Sequence, residues 1–293
     1  MLFMNRSLLL QRRSVARLGK NMRILMACAM LMCAGTKGIA QGDLLISPLR
    51  VVFEGTKKSQ EISLANVGKD TATFAVSLKQ IRMKDDGSFE EITVPDPGQR
   101  FADTFLRIFP RKVTLAPNES QVVKMQVIKT SQMEPGEYRS HLYFRAVPDE
   151  KPLGEKAEKK DTSGISISLK PIFGITIPVI IRVGENTADV KLSGLSFSMQ
   201  DNKPVFMMAF NRTGSMSVYG DLYVDYISPG GKSIQVKMVK GIGVYTPNTL
   251  RWFTVELDSD KNIGYNKGKL HATYKVQMSD KTEKSVEAEV ELK

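Results

Sequence analysis

The sequence predicts an all-β protein built from β-sandwiches, on three observations. Apolar residues recur at every second position in stretch after stretch: VSLKQIRM, VVKMQVIK, DLYVDY, WFTVEL, LHATYKVQM and VEAEVEL all alternate, as half-buried strands do. Turn-forming pairs separate them, including Asp86-Gly87, Pro97-Gly98, Pro117-Asn118, Pro135-Gly136, Pro229-Gly230 and Pro247-Asn248. No fifteen-residue window carries the stripe of an amphipathic helix.

The N-terminal segment reads as an address. Residues 1–40 hold seven Lys/Arg and no acid, and an apolar run over 24–34 leads to Gly38-Ile39-Ala40, small residues at the −3 and −1 positions of a cleavage site. This predicts a signal peptide over 1–40 and a mature chain from Gln41, with translation starting at Met1 or Met22. The apolar run is shorter than the roughly 20 residues a membrane span needs, so no membrane insertion is expected after cleavage. Both cysteines, Cys28 and Cys33, lie inside this segment. The mature chain would then hold no disulfide, thiolate nucleophile or cysteine-based zinc site. Without its leader the formal charge falls from +11 to +4, with 35 Lys/Arg against 31 Asp/Glu mixed along the chain. That lacks the basic stripe of a nucleic-acid binder.

The remaining length suits one large or two small domains, and a polar link at 183–186 divides it into 41–184 and 185–293. The first opens with LLISPLRVVFEG, in which Arg50 precedes a short apolar strand, Val51-Val52-Phe53, and a turn at Glu54-Gly55. An alternating strand with Ile62 and Leu64 follows, and its pattern breaks at Asn66. Asp85-Asp86 and Glu90-Glu91 flank Gly87-Ser88 and are expected at a hairpin tip. Tyr138 follows Pro135-Gly136-Glu137 in the position of a tyrosine corner, whose hydroxyl bonds back to turn backbone. Residues 148–164, rich in Lys, Glu, Gly and Pro, read as a loop. ISISL and ITIPVIIRV follow it, and Pro178 marks the second of these as an edge, a bulge or a strand start. The polar link at 183–186 ends the domain.

A weak internal repeat supports two similar domains. APNESQVVKMQV echoes TPNTLRWFTVEL, and PGEYRSHLYF echoes KGKLHATYKV.

No residue pattern suggests catalysis. His141 and His271 stand in equivalent strands, one in each domain, and are expected on strand faces rather than together. No nucleophile elbow, phosphate loop, dinucleotide fingerprint or metal-ligand spacing occurs. Trp252, in an alternating strand, is expected in a core. The expectation is no enzyme, no metal and no cofactor.

Four segments carry a family resemblance: LRVVFEG, SLAN, FLRIFPRKVTLAPNESQVVKMQV, and ISISL with ITIPVIIR. Together, over residues 44–183, they resemble the N-terminal domain of PapD-like periplasmic chaperones of pilus and fimbrial assembly. The resemblance implies two immunoglobulin-like sandwiches and a periplasmic chaperone that stabilises fimbrial subunits by lending them a strand. The alternation of Ile165, Ile167 and Leu169 with Ser166 and Ser168 suits that donor strand, whose apolar face would fill a subunit's groove. Arg50 matches the family arginine that holds a subunit's terminal carboxylate in the interdomain cleft. The family's lysine has no match at 174–177, and Lys170 and Arg182 stand off register, which points to a variant or archaic branch. Implied partners are fimbrial or pilus subunits and an outer-membrane usher-like protein. The alternative is a structural or adhesive surface protein made of two sandwiches.

Overall fold

In the computed structural model the described residues are 44–148, 174–185, 187–259, 263–277 and 282–292. All belong to one compact unit, Gly42–Lys293. The predicted leader with its cysteines, and most of the 148–164 loop together with Ile165, Ile167 and Leu169, lie outside them. Among the described residues the chain forms strands and two single-turn 3-10 segments, with no α-helix.

The first sandwich packs two sheets. One has the order β1 (Leu44–Ser47), β3 (Ser59–Asn66), β9 (Ser120–Val127), β7 (Leu106–Phe109). The other has the order β2 (Val51–Phe53), β11 (Gly174–Val183), β10 (Gly136–Val147), β4 (Ala72–Lys79), β8 (Lys112–Leu115). The first strand is therefore split. β1 pairs antiparallel with β3, and the chain then crosses so that β2 runs parallel to β11, with Val51 opposite Val179. A two-stranded hairpin, β5 (Ile81–Met83) and β6 (Phe89–Glu91), projects from this domain.

Alternation decides which face is buried. Ile62 and Leu64 of β3, and Val123 and Met125 of β9, point inward with no exposed surface, against Leu142 and Phe144 of β10. Each such side chain contributes about 1.5–3 kcal/mol. Asn66 breaks the apolar pattern because it closes the β3–β4 loop from inside. Its Nδ2 donates to Asp70 O (2.8 Å) and Leu115 O (3.0 Å), and its Oδ1 accepts from Gly68 N (2.9 Å). A buried amide with these bonds filled is tolerated where a bare one would not be. Tyr138 makes the corner: its hydroxyl accepts from Glu134 N at 2.9 Å.

The second sandwich sets β12 (Ala188–Gln200), β13 (Lys203–Gly214) and β16 (Leu250–Glu256) against a second sheet. That sheet has the order β15 (Ser233–Val244), β14 (Val218–Ile227), β17 (Gly268–Gln277), β18 (Glu283–Leu292). Its core holds Phe206, Phe210, Leu222, Val224 and Tyr274. The buried Tyr274 hydroxyl donates to Ile242 O at 2.7 Å. The repeated sequences occupy corresponding places. β9 pairs with β3 and β16 with β13, while β10 and β17 are each flanked by the strand that follows them and by an earlier one.

Trp252 corrects the sequence expectation. It is 39% exposed, on the outer face of the β12–β13–β16 sheet. Its neighbours on β16, Phe253 and Val255, pack against the core instead. The ring lies over a bulge in β12, where a Cβ on Gly194 would approach it to 3.0 Å.

Candidate binding cleft between the sandwiches

The two sandwiches meet along one face of β10. Glu137, Arg139, Ser140 and His141 are all buried in this strand, because the first core covers one side and neighbouring loops and the second sandwich cover the other. The Glu137 carboxylate, with no exposed side-chain surface, accepts from Ser217 N (2.9 Å), Thr246 Oγ1 (3.1 Å) and Arg182 Nε (3.0 Å), and from Ser217 Oγ. Arg182 also bonds Glu54 and donates to Ser217 O at 3.0 Å. A second tie comes from the β5–β6 hairpin. Asn248 Nδ2 donates to Met83 O at 2.9 Å, and Trp252 N donates to Asp85 O at 2.6 Å. The acidic hairpin tip is thus anchored to the other sandwich.

Beside these ties lies a cavity of about 220 Å³. The first sandwich lines it with Arg50, His141 and Thr176, the hairpin with Phe89, and the second sandwich with Tyr219, Tyr245 and Arg251. Arg50 reaches it because the sheet crossing places this residue immediately before β2, at the end of β2 beyond which β11 extends towards Gly174. Its guanidinium stacks on the Tyr219 ring, 4.7 Å from the centroid.

The cleft is rich in positive charge and donors. Nε and Nη2 of Arg50, Nε and Nη1 of Arg139 and Nε of Arg251 are buried with no hydrogen-bond partner among the described residues. Arg139 is 2% exposed, donates from Nη2 to Thr246 O at 3.2 Å, and stacks on Tyr245 at 4.6 Å. Burial pushes the pKa of both Arg139 and Arg251 down, although guanidinium remains charged. Tyr245 is pushed up by burial, with Arg50 and Arg139 opposing the rise. Burial and the neighbouring Arg139 hold His141 down to about 3, so it is neutral at ordinary pH; its Nδ1 has no partner among the described residues. Desolvated guanidinium N–H groups are costly when unsatisfied, and an anion that accepts from them removes that cost.

Of the residues singled out in the sequence, Arg50 lines this cleft. Arg182, one of the two off-register cations, is engaged with Glu54 and Glu137. Thr176 lines the cleft from the stretch where the family's lysine finds no match. Sequence reasoning missed Arg139, Arg251, Tyr219 and Tyr245. A signal existed for the first: Glu137, Arg139 and His141 recur at every second position of one strand, a polar stripe on a face that the structure buries. Arg251, beside an exposed tryptophan, gave none.

Among the described residues no group of His, Cys, Asp and Glu is arranged to hold a metal ion, and no helix is long and apolar enough to cross a membrane.

No family model and no curated protein matches the sequence. Among solved structures, the chain is similar to a protein of a chaperone–tip adhesin complex of CFA/I fimbriae biogenesis, at 14% identity and a TM-score of 0.42, covering 86% of this chain and 99% of that one. It is similar to the YadV chaperone at 14% identity and 0.41, covering 86% and 100%. It is also similar to a chain of the CsuC–CsuE chaperone–tip adhesion subunit pre-assembly complex of Acinetobacter baumannii, at 11% and 0.44, covering 84% and 98%. None of these values carries a residue role across.

Proposed function

We propose that the protein is a periplasmic chaperone for pilus or fimbrial subunits. The mature chain captures a subunit's terminal carboxylate at Arg50. It completes the subunit's sheet with the segment of Ile165, Ile167 and Leu169, and passes the subunit to an outer-membrane usher-like partner. One observation carries this reading: Arg50 lines an interdomain cavity with two buried N–H groups that have no partner among the described residues. A guanidinium in that state is suited to a carboxylate, which can accept two such bonds at once.

The mechanism needs no chemistry on the client. Backbone hydrogen bonds along a strand edge provide affinity, and alternate apolar side chains provide register. β2 pairs with β11 only at Val179, Ile180 and Ile181. Among the described residues the preceding part of β11 has no neighbour on that side, and an edge in that state accepts a further strand. Release follows when another strand displaces the donor, so no nucleotide is required.

Arg50→Ala tests the reading. The side chain stands in the cleft and outside the core, so the variant folds, and periplasmic capture of client followed by mass spectrometry reports binding. Loss of one partner of a buried charge pair weakens binding by about 2–5 kcal/mol. Capture equal to that of the parent protein would overturn the anchor role.

A further inference from the structure

We infer that Arg251, from the second sandwich, is the second cation of the cleft and grips the same client carboxylate as Arg50 from the first. This rests on the reading of Arg50 as a carboxylate anchor and extends it across both sandwiches.

Arg50 and Arg251 line one cavity. Each has a buried Nε–H without a partner among the described residues, and Arg50 Nη2 is in the same state. Arg251 is oriented rather than free: its Nη1 donates to Gly243 O at 2.5 Å. The hairpin holds it from the other side, since a Cβ on Gly87 would meet Arg251 Nε at 2.5 Å, and Gly87 has φ +82°. The glycine tip therefore sits directly on the guanidinium. The next residue's backbone is pinned by the bond from Trp252 N to Asp85 O.

Of the other cations nearby, Arg182 serves Glu54 and Glu137. Arg139 keeps two N–H groups without a partner among the described residues, but it does not line this cavity. Two guanidinium groups sharing one cavity repel each other, and a carboxylate between them turns repulsion into attraction on both sides. Its two oxygens supply one acceptor for each arginine. The walls beside them, Phe89, Tyr219 and Tyr245, are aromatic, so the carboxylate fits best when carried on an aromatic or large apolar terminal residue. Because the arginines come from different sandwiches, the ligand bridges the two.

The probe is N-acetyl-phenylalanine, with N-acetyl-phenylalaninamide as the uncharged control. Arginine Nε–H signals of the purified protein are followed by NMR and assigned with Arg50→Gln and Arg251→Gln. The acid should move both Nε signals and the amide neither. Each glutamine variant should weaken binding at least about tenfold, equivalent to about 1.4 kcal/mol, and Arg251→Lys should keep part of the affinity. If the acid moves only the Arg50 signal and Arg251→Gln binds as tightly as the parent, the shared grip is wrong while the Arg50 anchor stands. If the acid moves neither signal, or the amide moves both equally, the anchor itself fails. Should Arg251→Gln melt well below the parent, the parent's Arg251 signal and the lysine variant decide.

Discussion

His141 shows how strongly the cleft departs from water. An unperturbed histidine titrates near 6.5, and here burial beside Arg139 lowers the value to about 3. Between those values the unfolded chain takes up a proton that the folded chain refuses. Stability from this residue is therefore present above the unfolded value and lost as pH falls, by up to about 1.4 kcal/mol per pH unit. His141→Gln removes that titration. Its melting temperature should fall less steeply than the parent's between pH 6.5 and about 5, a range above most carboxylate titration; equal slopes would show that His141 is not the buried titrating group. At this scale the sequence was uneven as a guide. Arg50 was singled out through the family resemblance, and it lines the cleft. Asn66 was legible as a break in alternation, and its buried hydrogen bonds explain the break. Trp252 was misread because alternation tells which residues share a face and not which face meets the core.

Strands were the most legible elements, since a period of two states both the element and its buried side. The short strand β2 was also visible, but its parallel partner β11 lies more than a hundred residues away, and no local pattern reports such a pairing. The hairpin at Gly87 was readable from its turn residues. Its contact with Arg251 and Asn248 was not, because that depends on how two domains pack. The donor segment makes its prediction at this scale. If Ile165, Ile167 and Leu169 fill a client groove, Ile167→Asp places an unpaired carboxylate in that groove, at a cost of several kcal/mol. Client capture should collapse while the free protein melts as the parent does. A large fall in melting temperature without client would instead assign these residues to the first core and remove the donor role.

In the whole molecule, two sandwiches are tied through one buried carboxylate. Glu137 of the first accepts from Ser217 and Thr246 of the second, with Arg182 as its counter-ion. Breaking such a buried pair exposes an uncompensated charge, so the interface resists opening. Arg50 and Arg251 reach one cavity from different sandwiches, and this is why neither domain's sequence displays the site alone. The proposed periplasmic role requires export. The basic lead, the apolar run and Gly38-Ile39-Ala40 predict a mature N-terminus at Gln41. N-terminal sequencing of the exported protein checks this, and an intact Met1 or Met22, or a lipid on Cys33, would refute it. The role proposed for the cleft is to hold a client's terminal carboxylate. The most direct measurement compares the affinity of the purified protein for a captured client with its native C-terminus and for the same client extended by a short Gly-Ser tail. The tail moves the carboxylate out of a cavity of about 220 Å³. The extended client should lose about 2–5 kcal/mol of binding and also become insensitive to Arg50→Ala; undiminished affinity for it would overturn the proposed role.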